Sequence, residues 1–168
     1  MKRAFSIVLM AVALFTGNAN AQKPSPAATA TGTLANGTVI TINYSSPALK
    51  GRVIGKDVEP MAGKVWRAGA NDATVFEVSK DVTISGKTLP AGKYGFFTID
   101  NGNEWTLIFN KTWKQWGAFN YKEADDQLRV NVKPSQAASA TERLTYTVHP
   151  NGVVSLNWGT LQVSFTVK

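Results

Sequence analysis

No cysteine occurs in the 168 residues, which excludes a disulfide, a thiol nucleophile and any thiolate-held zinc. Histidine is almost as scarce. The one imidazole, His149, stands before Pro150 in a turn-like string. It cannot build a His-based metal site, and no G-x-S-x-G elbow supports a Ser–His–Asp set. Carboxylates number 11 and stand mostly beside turns, at Asp100, Glu104, Asp125 and Asp126, with Glu77 in a strand-like run. A glycosidase needs two of them about 5–10 Å apart in one cleft. Nothing in the spacing marks such a pair, although Asp57 with Glu77 stays open. DNGNE and EADD carry oxygen ligands without calcium-loop spacing and read as turns. No catalytic set, metal site or cofactor is expected.

Long apolar runs are also missing. The longest, Ile7 to Phe15, follows Lys2 and Arg3 and precedes Ala19-Asn20-Ala21. That order is a signal peptide over residues 1–21, with Gln22 as the mature N-terminus. The run is too short for a bilayer core, which needs about 20 residues, so no membrane span is expected after cleavage. Without cysteine, a lipid anchor at the cleavage site is excluded. The chain reads as exported, to the periplasm or the exterior.

Charge is unbalanced but diffuse. Lys plus Arg number 18 against 11 Asp plus Glu, and without Lys2 and Arg3 the count is 16 against 11, or +5. The basic residues form no stripe, so a nucleic-acid partner is not expected. Acidic glycans or lipopolysaccharide suit the sign better.

What the chain does have is alternation. After a Pro-, Ala- and Thr-rich segment, residues 22–36, which reads as a flexible leader, apolar residues recur every second position. Ile40, Ile42 and Tyr44 share a face, as do Trp105, Leu107 and Phe109, then Leu128, Val130 and Val132. Leu144, Tyr146 and Val148 follow, then Val154, Leu156 and Trp158, then Leu161, Val163, Phe165 and Val167. Period two with polar residues opposite marks antiparallel sheet with one wet face. Asn101-Gly102 and Pro150-Asn151-Gly152 are hairpin signals. YGFFTI carries apolar residues on both faces and predicts a central strand. Residues 50–63 and 111–126 read as long loops, the second with a short helical turn, and PSQAASAT as a flexible connector. About 130 ordered residues suffice for one core. The expectation is one all-β domain over 37–168, an antiparallel β-sandwich of jelly-roll-like form with long loops at one end.

Aromatics are the remaining resource for recognition. Trp105 and Trp158 fall on inward faces, whereas Trp66, Trp113 and Trp116 lie in or beside loops, with Tyr44, Phe119 and Tyr121. In GKVWRAGANDATVFEV (63–78) an indole, a guanidinium and a side-chain amide meet where a strand begins. Arg67 offers a five-donor fork that, once buried, needs acceptors; Glu77 or Asp72 is the nearest candidate. One reading is a knot that locks the 45–70 loop to the sheet. The other is a ligand site of Trp66, Arg67, Asn71, Asn110, Lys111 and Trp116, suited to hydroxylated or anionic ligands, since sugar rings stack on indoles.

The strings YSSPALKGRVI, GKVWRAGANDATVFEVSKDVTISGKTLPAGKYGFFTI, WTLIFNKTWKQWGAFNY and DQLRVNVKP resemble the bacterial exported family known as domain of unknown function 2911. The match runs over about residues 40–167, with VWR-x-GAN, LPAGKY and FN…WG as its specific combination. One departure stands before Val65, where this chain reads VEPMAGKVW and members often carry Tyr–Gly. The resemblance implies a β-rich exported domain and supplies no activity. The expected role is non-enzymatic binding of a glycan or small polar ligand at the loop end. A structural module of the envelope with a protein partner is the alternative, and a carboxylate hydrolase the third.

Overall fold

The computed structural model describes residues 25–168; the signal-peptide reading of 1–21 falls outside them. Eleven strands follow in order: β1 (Ala27–Thr33), β2 (Val39–Ser45), β3 (Val65–Trp66), β4 (Thr74–Val78), β5 (Val82–Ile84), β6 (Lys87–Leu89), β7 (Gly92–Asp100), β8 (Trp105–Asn110), β9 (Asp126–Val132), β10 (Ser135–Val148) and β11 (Val153–Thr166). The helical content of the described residues is one 3-10 turn, Glu123–Asp125, inside the predicted second long loop. The main sheet runs β1-β2-β4-β7-β8-β9, with β3 pairing the far end of β7, and every strand pairing is antiparallel. A long β10–β11 hairpin and a small β5–β6 hairpin complete the all-β, sandwich-like fold.

The two-faced strand is central, as its composition predicts. Phe96 of β7 points into the main core, where Phe76–Phe109 and Phe96–Phe109 centroids lie 5.1 and 5.2 Å apart and Phe165 of β11 packs 5.9 Å from Phe96. Phe97 points the other way and forms a second cluster with Ile108, under Tyr121 at 5.2 Å. The 111–121 loop therefore lies across the outer face of the sheet. Gly95 permits that approach, since a Cβ there would meet the Thr112 carbonyl at 3.1 Å and Trp113 Cα at 3.3 Å.

Three segments differ from the sequence expectations. Residues 27–33 of the supposed leader form β1, paired in register with β2. Its half-buried positions are Ala28, Ala30 and Gly32, which carry too little apolar surface to announce a strand. They must be small, because a Cβ on Gly32 would stand 2.7 Å from Val148 Cγ1. Residues of the supposed connector PSQAASAT likewise belong to β10, whose register against β11 shifts between Gln136 and Thr141 and again before Thr145. Bulges of this kind bend a strand while keeping it paired. Finally, VVSLNW and LQVSFTVK are one strand. Its buried large apolar residues change from even (Val154, Leu156, Trp158) to odd (Val163, Phe165) across Gly159, whose φ of 57° supplies the irregularity that flips the faces.

Candidate functional site

The stretch that joins an indole to a guanidinium sits where β3 ends and the chain turns toward β4. Trp66 is buried: its indole stacks on Trp158 with centroids 6.0 Å apart, and its Nε1–H donates to the Gly69 carbonyl at 3.1 Å. Ala68 holds a φ of 50°, and its carbonyl accepts hydroxyls from Thr74 at 3.0 Å and Tyr146 at 2.7 Å. This turn is thereby fixed to both layers. Arg67 projects from it into a cavity of about 530 Å³.

Charge is concentrated at that cavity. Lys50, Arg52, Asp57, Glu59, Arg67 and Trp158 are among its lining residues. The two carboxylates are engaged with their own loop, Asp57 accepting the Val53 N–H and Glu59 the Met61 N–H, both at 2.9 Å. Arg52 is tied back to the carbonyls of Leu49 at 2.9 Å and Ala48 at 2.7 Å. The Arg67 side chain has no such attachment among the described residues. Its buried Nε–H finds no acceptor among the described residues, and neither does the buried Nε1–H of Trp158. Burial lowers the guanidinium's pKa, and the charge of Glu59 offsets this only in part. Half-buried, unpaired donors of this type are costly to keep unless something accepts from them.

The carboxylates proposed for Arg67 are elsewhere. Glu77 pairs with Lys93 at 3.4 Å, and Arg67 takes part in none of the ion pairs among the described residues. Among the described residues no carboxylate pairs with Arg67 to form a knot. Tethering of the loop falls instead to Ser46, Leu49 and Lys50, which bond Leu144 and Glu142 of β10.

The six residues named from the sequence divide between several environments. The two loops do meet, since Gly117 N–H donates to the Asn71 carbonyl and Ala73 N–H to the Gln115 carbonyl. Their side chains diverge. Trp66 and Arg67 line the cavity. Asn71 adopts a φ of 59°, and its amide donates to the Ser25 carbonyl at 3.1 Å. Asn110 is fully buried and spends its amide on Lys122 O at 3.0 Å and Asp126 Oδ1 at 2.8 Å, while accepting the Thr112 N–H. Lys111 and Trp116 are exposed on the loop that crosses the outer face. Lys50, Arg52 and Trp158 escaped notice: the first two sat in an irregular loop with no periodicity, and Trp158 in a strand whose alternation marked it as core only. The density of charge in KGRVIGKDVEP was the available signal.

No curated protein and no solved structure is matched by this chain. A family model, protein of unknown function (DUF2911), matches residues 25–167, from just before β1 to just past β11. The resemblance seen in the VWR-x-GAN and LPAGKY strings extends over the whole described fold, and the chain belongs to the DUF2911 family.

Proposed function

We propose that this is an exported, non-enzymatic binding protein whose ligand is a small anionic or acidic hydroxylated molecule held at the Arg67 cavity. The supporting observation is the Arg67 guanidinium itself, buried at Nε, in no ion pair among the described residues, and set among cations whose neighbouring carboxylates already serve backbone amides. A planar fork of that kind suits a carboxylate or phosphate. Trp66 and Trp158 lie at the base of the cavity, almost wholly buried, and fix the turn that carries Arg67. The test is a binding screen of small carboxylates, phosphates and acidic glycans against the wild type and Arg67→Met. Binding that ignores the substitution removes the site. Export is checked by sequencing the mature N-terminus, with Gln22 expected as the first residue.

A second reading, an interaction module for an envelope protein, draws on the outer-face loop. Trp116 and Phe119 are 58% and 84% exposed there, two large apolar side chains in water on one loop. Pull-down with Trp116→Ala beside the wild type separates the two, because that residue does not line the Arg67 cavity.

A further inference from the structure

Beside the cationic cavity lies a second depression of about 700 Å³, and Arg52 lines both. The segment 48–54 forms the partition. Ala48 and Lys50 face the first cavity, while Leu49, Val53 and Ile54 face the second, whose far wall includes Leu161 and Pro134. On β11 the boundary falls between Trp158 on the first side and Gly159 on the second.

The groove lies between the 49–54 segment and the two strands of the β10–β11 hairpin. The register shifts of β10 bend that strand opposite Gly159 and Leu161. The missing side chain at Gly159 lets Leu49 and Ile54 settle within 3.2 and 3.5 Å of where a Cβ would stand. Arg52, fixed to the Ala48 and Leu49 carbonyls, makes a ridge of stable shape. Val53 remains 55% exposed at the rim, an apolar side chain standing in water beside Arg52.

Taken with the Arg67 site proposed above, on which this depends, we infer that the ligand is an amphiphile. Its anionic head, carboxylate or phosphate, meets Arg67, and its alkyl or acyl chain crosses the Arg52 ridge into the groove of Leu49, Val53, Ile54 and Leu161. A hydrophilic anion would leave the groove unused, and a neutral lipid would leave Arg67 unpaired. An amphiphile satisfies both with one molecule, because the cationic and apolar surfaces share a wall.

Calorimetric titration of the mature chain with hexanoate, decanoate, inorganic phosphate and decyl phosphate, each below its micellar concentration, tests this. Each buried methylene multiplies affinity by about fourfold, so decanoate should bind at least tenfold more tightly than hexanoate, and decyl phosphate than phosphate. The tighter of the two long-chain anions identifies the head. Val53→Asn, at an exposed position, should weaken decanoate at least threefold and leave hexanoate unchanged. Arg67→Met should weaken both acids. Equal affinities for short and long anions overturn the amphiphile while leaving the anion site standing. A chain-length gain that Val53→Asn does not touch places the tail elsewhere and also overturns it. Binding of none of the four removes the Arg67 site itself.

Discussion

The indoles of Trp66 and Trp158 stack 6.0 Å apart with planes 15° from parallel, so one pair of rings both closes the core and lines the Arg67 cavity. Trp66 comes from the main sheet and Trp158 from the hairpin that covers it. The contact therefore couples the two layers at the cavity. Removing it should be expensive: Trp66→Ala is expected to lower unfolding free energy by about 3–5 kcal/mol, the usual range for a buried aromatic cut to Ala. Urea denaturation measures this. A loss below about 1 kcal/mol would mean that the layers are held elsewhere.

Asn110 and Trp116 were grouped as ligand residues from sequence, yet they should respond in opposite ways. Asn110→Ala leaves the Thr112 N–H without its acceptor and removes two donated bonds inside a buried network. A loss of about 1–3 kcal/mol follows from groups left unsatisfied. Trp116→Ala touches an exposed side chain and should stay within about 0.5 kcal/mol of the wild type. Thermal melts of both variants check the contrast.

Alkaline pH provides an independent probe of the core. Tyr146 donates its hydroxyl to the Ala68 carbonyl, and burial, with Tyr44 beside it, raises its pKa well above the ordinary value. Burial and then the hydrogen bond to Asp126 raise Tyr121, while burial and then Asp81 raise Tyr94. A raised folded pKa means that the folded state resists losing the proton. The stabilisation is complete below the unfolded tyrosine pKa, about 10, and is lost as pH climbs through the folded value. The urea midpoint should hold level to about pH 9.5 and fall beyond it. Tyr146→Phe should lower the midpoint at pH 8 and make the fall above pH 10 shallower.

The legible part of the fold was whatever alternated strongly. Phe96 and Phe97 side by side announced a strand with two buried faces, and β7 is that strand. Asn101-Gly102 and Asn151-Gly152 announced hairpins that are present at β7–β8 and β10–β11. Ala28, Ala30 and Gly32 announced nothing, because a tightly approached strand selects small side chains and small side chains have little hydrophobic signal. The parity change between Trp158 and Val163 was visible but read as two strands, since a glycine between apolar runs ordinarily marks a turn rather than a bulge. The candidate site was legible only at Trp66 and Arg67. Its other walls are made by residues 50–59, whose charges have no periodic order, and by chain segments about 90 residues apart that only the tertiary fold brings together.

The most direct measurement pairs affinity with stability in a single substitution, Arg67→Met. The Arg67 guanidinium is half-buried with its Nε–H unpaired among the described residues, so replacement by an apolar chain of similar length removes a desolvation cost that Glu59 offsets only in part. The expected result is loss of anion binding by at least tenfold, with a melting temperature equal to or above that of the wild type. Retained binding, or a fall in melting temperature of several degrees, would show that Arg67 holds the protein together rather than its ligand.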